Sequence, residues 1–260
     1  MKRFINNIKK YFKYAIYSAR ADLKSEVAGS YLNWLWWILD PLCFMMIYIF
    51  VAAIVFSSSE PYFPVFIFLG LTVWDFFNKT VNSSVKIVSN NRAIVTKIYI
   101  PKYILIMQKT FVNMFKMSIS WILVFILMII FKVPLTINFL WFIPLLLVLY
   151  MITFGISCIL LHYGIFVEDL ANVTSLALRL VFYMSGIFYN LATKVPEPFN
   201  NILLNCNPVA FIINSFRMIF LQNQAPSLLV LGGWTLAGML LIGIGIHIIH
   251  KYENSYAKVI

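Results

Sequence analysis

Long apolar segments constrain this chain more than any other feature. Six stretches of about 20 mostly apolar residues occur along the sequence, and an α-helix needs that length to cross the hydrocarbon core of a bilayer. With 62% hydrophobic and only 11% charged residues, the chain has too little polar surface to cover a water-soluble globule. The sequence therefore predicts an all-α polytopic membrane protein with six transmembrane helices. The predicted spans lie near residues 34–56, 62–82, 104–131, 139–162, 170–190 and 226–249.

The first 30 residues have a different pattern. Their apolar side chains recur at steps of three and four, and basic residues occupy the rest of the helical wheel. This pattern predicts a basic amphipathic helix that lies on the membrane surface. The predicted organisation is a surface helix at 1–30 followed by a six-span transmembrane domain at 31–260. The apolar face consists of Phe4, Ile8, Tyr11, Phe12, Ala15, Ala19 and Leu23.

The distribution of Lys and Arg predicts the orientation of the chain in the membrane. Seven basic residues precede the first span, and Lys86, Arg92, Lys97 and Lys102 follow the second. The connection between spans one and two has none, and the connection after span three has Lys132 alone. Because cytoplasmic loops carry the excess of Lys and Arg, we predict that both termini are cytoplasmic. The net charge of +11 thus indicates orientation and contact with membrane lipids, because no water-facing basic domain is present to bind nucleic acid.

The connection after the second span is predicted to be structured. Residues 84–102 mix short apolar repeats with basic residues and stop at Pro101. Such a pattern is typical of a short cytoplasmic helix held against the membrane.

The connection before the last span is predicted to be an external helical pair. It covers residues 191–225, where Pro196 and Pro198 open one short amphipathic stretch and Asn207-Pro208 separates it from a second. The second stretch, at about 14 residues, is too short and too polar to cross a bilayer. A re-entrant or interfacial pair fits better, since non-helical backbone at membrane depth must face protein or water.

The sequence lacks the signatures of several kinds of catalytic site. None of the ten glycines is followed by lysine, so the phosphate-binding loop GxxxxGK[ST] of many ATPases is absent. The three cysteines are scattered, and Glu168-Asp169 is the only adjacent pair of acids, which disfavours a metal-dependent transferase. We predict no catalytic residue, no metal site and no cofactor bound by this chain.

Charged residues inside the predicted spans are the first candidates for a functional site. A charge in hydrocarbon costs at least about 2.5 kcal/mol unless it is paired or hydrated. Asp75 lies in span two with Lys79 one turn further on, and Arg179 lies near the middle of span five. Each charge either pairs within the helix bundle or extends its side chain to the membrane surface. For Arg179 the functional alternative is that it lines a hydrated path and meets negative charge on a cargo.

Aromatic residues are the second candidates. Trp37, Phe44 and Tyr48 share a face of span one, and we predict that Phe182 and Tyr189 share a face of span five. Such faces can stack against sugar rings, but they can equally form an interfacial belt or face lipid. The complete predicted substrate path is Trp37, Phe44, Tyr48, Arg179, Phe182, Tyr183 and Tyr189.

Three groups of residues resemble a known family. They are SYLNWLWWILDPLCFMMIY at 30–48, TKIYIPK at 96–102, and SGIFYN followed by VPEPF, NP and FR at 185–217. The chain resembles, over nearly its whole length, the permease subunit of ABC transporters that export O-antigen, capsule or teichoic acid. The motifs separate this branch from other membrane proteins but do not separate one glycan from another.

The resemblance implies a set of partners. They are a second copy of this chain, two copies of an ATPase subunit that binds ATP and Mg, and a polysaccharide linked to a polyprenyl-diphosphate lipid. It places the complex in the bacterial cytoplasmic membrane, with spans one and five lining the channel.

The resemblance also implies residue roles. The residues expected to contact the ATPase are Arg92, Lys97, Glu168 and Asp169. The residues expected to form a gate are Pro196, Asn207, Pro208 and Arg217. The chain departs from the family pattern at two places. Glu168-Asp169 replaces the usual Arg-Asp pair, and Ser185-Gly186 replaces the usual Ser-Pro.

Other functions are consistent with part of the sequence. A related permease could export a drug or small amphiphile, although the aromatic content and the surface helix favour a polymer. A membrane-bound envelope transferase is disfavoured by the lack of clustered acids, and a scaffold for envelope enzymes is a further alternative.

Overall fold

The chain is helical throughout its regular structure. The computed structural model describes residues 2–29, 31–54, 60–134, 136–253 and 255–256, so residue 30 of the predicted surface helix and residues 55–56 of the first predicted span lie outside it. The all-α prediction is confirmed within these ranges. The α-helices are α1 (Lys2–Ala28), α2 (Trp36–Ile54), α3 (Phe63–Val85), α4 (Ile87–Asn90), α5 (Arg92–Val95), α6 (Lys102–Ile130), α7 (Phe142–Phe166), α8 (Leu170–Met184), α9 (Leu191–Lys194), α10 (Phe199–Cys206), α11 (Pro208–Leu221) and α12 (Leu228–Lys251).

Several helices are long and apolar enough to cross a membrane. Four segments meet that test by length and composition, and the pair α10 and α11, which meet at 96°, gives a fifth if counted as one span. The chain is therefore a membrane protein with several apolar helices. The other two predicted spans are α3, whose second half is polar, and α8, which has 15 residues. Six spans stay a prediction. The four segments are Asn33–Val51, Lys102–Ile130, Ile137–Phe166 and Leu228–Lys251.

Helix α3 lies at the centre of the bundle. It packs against α2, α6, α7, α8 and α11. Its residues from Val65 to Leu69 are at most 2% exposed, as expected for a helix that is apolar on every side. The second half of α3 carries Asp75 and Lys79, so the central helix brings these charges to the inner surface of the bundle.

Glycines bring α7 and α12 into close contact. A Cβ atom on Gly245 would lie 2.5 Å from the Cβ of Cys158, and one on Gly155 would lie 2.6 Å from the Cβ of Leu241. Gly238 faces α7 in the same way. The seven-residue spacing of Gly238 and Gly245 predicts a close helix contact. The structure places that contact between α7 and α12 of the same chain.

The predicted helix at 170–190 ends early, at Met184. Gly186 adopts a φ of +63°, a left-handed conformation that glycine reaches without steric cost and that ends the helix. The carbonyl of Gly186 then accepts a hydrogen bond from Arg217 of α11. The chain after α8 is thus turned back toward α11, and the predicted last turn and a half of span five is not helical.

Helix α1 packs along α6. Ala15 and Ala19 are buried in this contact, the Phe4 and Tyr103 rings meet edge to face at 5.2 Å, and Asn7 donates a hydrogen bond to the Tyr103 hydroxyl at 2.9 Å. The structure therefore has a helix where the amphipathic pattern predicts one, and small side chains allow the close approach. Its position on the membrane surface stays a prediction.

The connection after α3 contains two single helical turns, α4 and α5, where one short helix is predicted. Asn91 separates them, and its side-chain amide donates to the Ile87 carbonyl at 2.7 Å. Such a side-chain bond competes with continued helical pairing, which explains the break.

Three distant parts of the sequence meet beside this connection. Arg3 of α1 lies 2.8 Å from a carboxylate oxygen of Glu253, which follows α12, and 3.0 Å from the Tyr99 hydroxyl. Tyr99 in turn donates to Glu253. Burial and the Glu253 contact raise the pKa of the Tyr99 phenol above its ordinary value. The three side chains tie the first helix and the end of the last helix to the segment after α5.

Candidate functional site

A groove of about 610 Å³ opens between α2, α3 and α8. Its volume lies in the range of ligand-binding pockets. The structure brings residues from two separate predicted spans onto this one surface. The predicted path residues on its wall are Phe44, Tyr48, Arg179, Phe182 and Tyr183.

The other two predicted path residues do not line this groove. Trp37 lines an adjoining pocket of about 290 Å³ and packs edge-on against Phe115, with ring centroids 5.4 Å apart. Tyr189 lies beyond the end of α8, and its hydroxyl donates to the Tyr183 carbonyl at 2.8 Å. The prediction that Phe182 and Tyr189 share a helical face is wrong, because α8 ends before Tyr189.

Aromatic rings form the apolar part of the wall. The Tyr48 ring is stacked on Phe44 at 6.3 Å, and it lies 6.4 Å from Phe182 and 4.6 Å from Phe188. Trp74 of α3 lies 5.2 Å from Phe182. Sequence reasoning missed Trp74 and Phe188, because only the fold places them beside α2 and α8. These rings offer faces on which planar or ring-shaped groups can stack.

Arg179 supplies a positive charge to the same wall. Its side chain is exposed, and among the described residues no carboxylate lies within 4.0 Å of its guanidinium. The alternative in which Arg179 pairs within the bundle is therefore not found in the described part of this single chain. A guanidinium with free donors can bind a carboxylate or phosphate through two parallel hydrogen bonds.

Asp75 and Lys79 lie at one end of the groove. Lys79 is 2.8 Å from Asp75, one turn away on α3, and 3.8 Å from Asp40 of α2. Sequence reasoning paired Asp75 with Lys79 and missed Asp40, although an acid before Pro41 inside an apolar segment is itself a signal. The three charges connect α2 to α3 at the boundary between the groove and the pocket that contains Trp37.

Amide and hydroxyl groups complete the wall. Asn78 and Asn82 stand one turn apart on α3, and the Asn82 side-chain oxygen accepts a hydrogen bond from Ser175 of α8 at 3.3 Å. The sequence analysis assigned no role to these residues, although the four-residue spacing places them on one face. The groove is thus aromatic on one part of its wall and polar on another.

Arg217, predicted as a gate residue, is buried in the protein core. It is 3% exposed and lies over the Phe66 ring at 3.4 Å. Its guanidinium donates to the carbonyls of Phe66 at 3.2 Å, Gly186 at 2.7 Å and Ile187 at 2.8 Å. Carbonyl oxygens thus satisfy this buried charge and fix the turn after α8 against α3. Any role of Arg217 in gating would act through that turn.

The other predicted gate residues shape the bend between α10 and α11. The Asn207 side-chain oxygen accepts from the backbone of Val209 at 3.0 Å and so caps α11, and its amide donates to Ser185 at 3.1 Å. Pro208 takes the first helical position, where its missing N–H costs nothing. Pro196 precedes α10, and its carbonyl accepts from Asn200 at 3.3 Å.

The predicted coupling residues lie on two neighbouring connections. Arg92, Lys97, Glu168 and Asp169 are all exposed. The two connections are close because α7 has Gly164 near its end, where an added Cβ would collide with the backbone and side chain of Val85 at the end of α3. Helix α4 also contacts α7. Two exposed isoleucines, Ile94 and Ile98, accompany the basic pair.

Three known proteins are similar to this chain over most of its length. The O-antigen export system permease protein RfbA of Klebsiella pneumoniae is 29% identical over 242 residues, 92% of each chain, and a second protein of that name and organism is 28% identical over the same share. RfbA of Myxococcus xanthus is 26% identical over 226 residues, 87% of each chain. No protein-family model matches the chain. The similarity confirms the resemblance to polysaccharide-export permeases.

Proposed function

We propose that this chain, a relative of the O-antigen export permeases, is the membrane-spanning subunit of an ATP-driven polysaccharide exporter. Two copies of it would assemble with two ATPase subunits, which bind ATP and Mg. The cargo would be a polysaccharide carried on a polyprenyl-diphosphate lipid. The observation that carries this proposal is the groove between α2, α3 and α8, which combines aromatic faces with an exposed arginine.

The two parts of the groove suit the two parts of such a cargo. A polymer exporter must hold its cargo weakly and repeatedly, and ring faces grip sugars without requiring one pattern of hydroxyl groups. Stacking of a base on an aromatic ring is worth roughly 1 to 3 kcal/mol, and stacking of a sugar should lie at or below the bottom of that range. We assign the sugar contacts to Phe44, Tyr48 and Phe182, and a contact with the diphosphate to Arg179.

A second copy of the chain would close the groove. Only Thr174 and Leu178 of α8 are buried, and Met45 is the one buried residue of α2 between Trp36 and Val51. An apolar surface that contains a ligand groove commonly lies at an interface between helices or subunits. We therefore propose that α2 and α8 of two copies face each other around the transported chain.

The proposed topology has six spans with both termini in the cytoplasm. It adds α3 and α8 to the four apolar helices, and it treats α10 and α11 as an external re-entrant pair that gates the path. In the proposed arrangement α1 lies on the cytoplasmic surface. The connections that carry Arg92 and Asp169 would then face the ATPase, where exposed Ile94 and Ile98 add apolar contact area.

Cysteine labelling tests this topology. Single cysteines at Asn90 and Ser255 should react only after the membrane is permeabilised, whereas cysteines at Glu60 and Asn200 should react in intact cells. Labelling of position 255 from outside would contradict the six-span arrangement.

Deletion of the gene tests the function. We expect the cell surface to lose a polysaccharide, and the lipid-linked form of that polymer to accumulate inside the cell. Supplying the intact gene should reverse both effects, and an ATPase should copurify with a tagged form of the chain. Unchanged surface polysaccharide in the deletion strain would overturn the proposal.

A further inference from the structure

A second cleft, of about 470 Å³, lies between α3 and α6 and adjoins the groove. The two share Asn78 and Asn82 in their linings. Among the described residues, no carboxylate lines this cleft. Its basic side chains are Lys79, Lys86, Lys109 and Lys116.

Asparagines form much of the remaining wall. Asn78, Asn82, Lys86 and Asn90 follow one another at steps of four residues, which places them along one side of α3 and its continuation into α4. The Asn82 side-chain oxygen lies 3.3 Å from the Ser175 hydroxyl, whose hydrogen has the Ala171 carbonyl at 2.8 Å, and within the described part of the chain the Asn82 amide hydrogens have no hydrogen-bond partner. The cleft therefore presents ammonium and amide donors together.

Carboxylates in the adjoining pocket hold three of the lysines in place. Glu26 of α1 lies 2.5 Å from Lys116 and 3.7 Å from Lys109, and Asp75 lies 2.8 Å from Lys79. Long lysine side chains lose conformational entropy when they bind a ligand, and these ion pairs offset part of that cost in advance. The carboxylates therefore position these three lysines from the adjoining pocket, and the same lysines still line the cleft.

Lys86 differs from the other three lysines. It is exposed at the end of α3, and no carboxylate lies within 4.0 Å of its ammonium among the residues that the structure describes. It thus adds a charge to the cleft that the protein itself does not balance.

We propose that this cleft binds the phosphate or diphosphate headgroup of a lipid at the end of the groove nearest α4. Lys86 and the amide groups offer donors that no carboxylate of the described residues occupies, and the ion-paired Lys79, Lys109 and Lys116 add positive charge beside them. Such a set suits an anion with several oxygens, and basic pockets between membrane helices recognise lipid headgroups in this way. The shared wall at Asn78 and Asn82 allows a headgroup in the cleft to lead the rest of its molecule into the aromatic groove. The assignment to a transported lipid rests on the proposed function, whereas headgroup binding does not.

Lipid retention measured by native mass spectrometry tests this site. The probes are polyprenyl diphosphate, phosphatidylglycerol and phosphatidylcholine, each added to the purified complex of the chain with its ATPase. We expect K86Q together with K109Q to lower retention of polyprenyl diphosphate by about tenfold or more, since each substitution removes a charged donor to the headgroup. Phosphatidylcholine retention should not change, and K132Q, at a lysine outside the cleft, should behave like the unmodified chain.

A second variant separates loss of binding from loss of folding. N82D keeps the shape of the side chain and the oxygen that Ser175 contacts, but it replaces the amide donors with a negative charge. It should lower retention of the diphosphate lipid at unchanged yield and unchanged elution volume. Normal retention by both N82D and the lysine variant would overturn the site.

The two anionic probes identify the source of the headgroup. If the variants retain less polyprenyl diphosphate but as much phosphatidylglycerol as the unmodified chain, the cleft binds the transported lipid. If their retention of both lipids falls equally, the cleft binds the bulk anionic lipid. The assay needs neither ATP nor polysaccharide. A chain that retains the headgroup but whose deletion leaves the surface polysaccharide unchanged would refute the proposed function and not the cleft.

Discussion

Helices α8 and α11 are similar in length and composition but lie in opposite environments. Each is a short apolar helix of about four turns that carries a single arginine. Ten of the 14 residues of α11 are buried, including Arg217, whereas only two of the 15 residues of α8 are buried, and Arg179 is exposed on the groove.

The difference lies in the partners of the two guanidinium groups. Arg217 donates to three backbone carbonyls, which belong to α3 and to the turn after α8. Arg179 has no carboxylate partner within 4.0 Å among the described residues. A charge within an apolar segment can thus hold a fold together or remain open to a ligand, and the two roles predict different mutant behaviour.

The largest effect is expected at Arg217. Arg217→Met keeps an unbranched side chain but removes the donors to the carbonyls of Gly186 and Ile187, at about 1 to 3 kcal/mol for each buried group. The melting temperature in detergent and the amount of protein in the membrane should both fall sharply. Arg179→Met is the matched control and should leave both values unchanged. If the two variants were equally stable, the contrast between the two helices would be wrong.

The next effect concerns the turn that connects the two helices. A Cβ atom on Gly186 would lie 2.6 Å from the Leu191 side chain, and the φ of +63° is unfavourable for alanine. Gly186→Ala should therefore destabilise the chain by about 1 to 3 kcal/mol, measured as a lower melting temperature. Gly232→Ala is the control, since an added Cβ there meets nothing within 4 Å. Equal melting temperatures for the two variants would show that this turn is not fixed by its contacts.

A functional effect is expected at Arg179. Arg179→Ala removes one charge-assisted contact and should lower export roughly tenfold at matched membrane levels. Arg179→Lys should keep part of the activity, because lysine retains the charge but not the paired donors. The measurement is the ratio of surface polysaccharide to lipid-linked polysaccharide inside the cell. Normal export by Arg179→Ala would place the contact with the headgroup elsewhere.

The smallest single effects are expected from the groove aromatics. Phe44→Ala and Phe182→Ala should each slow export only in part, since one sugar contact is worth about 1 kcal/mol or less. The double variant should stall export and leave polymer inside the cell. Phe50→Ala, which removes an exposed ring of α2 that does not line the groove, is the control. Equal export by the double variant and the control would show that these rings serve lipid contact.

Much of the secondary structure follows from local features of the sequence. The apolar segments predict the long helices, and the step-of-three-and-four pattern predicts α1. Asn207-Pro208 predicts the start of α11, because capping and the proline ring act within one turn. The early end of α8 was missed: Gly186 permits the left-handed turn, but its carbonyl is held by Arg217, which lies 31 residues further along the chain.

The candidate site could be predicted only in part. Phe44, Tyr48 and Arg179 stand out as aromatic or charged residues inside apolar segments. Trp74 contributes through its contact with Phe182, and no local pattern marks it for the groove, because an aromatic residue in an apolar helix is unremarkable. Asp40 had a local signal, but its contact with Lys79 depends on the packing of α2 against α3.

The sequence by itself determined that this chain is a helical membrane protein, because apolar length and helical periodicity are properties of contiguous residues. It also determined which charges would have to be accommodated among apolar helices. Only the tertiary structure decided how each charge is accommodated. Arg217 and Arg179 both lie in short apolar helices. The carbonyls that accept hydrogen bonds from Arg217 belong to distant parts of the chain, and so do the helices that form the groove beside Arg179. Burial and hydrogen bonding depend on those distant partners, so local pattern cannot assign them.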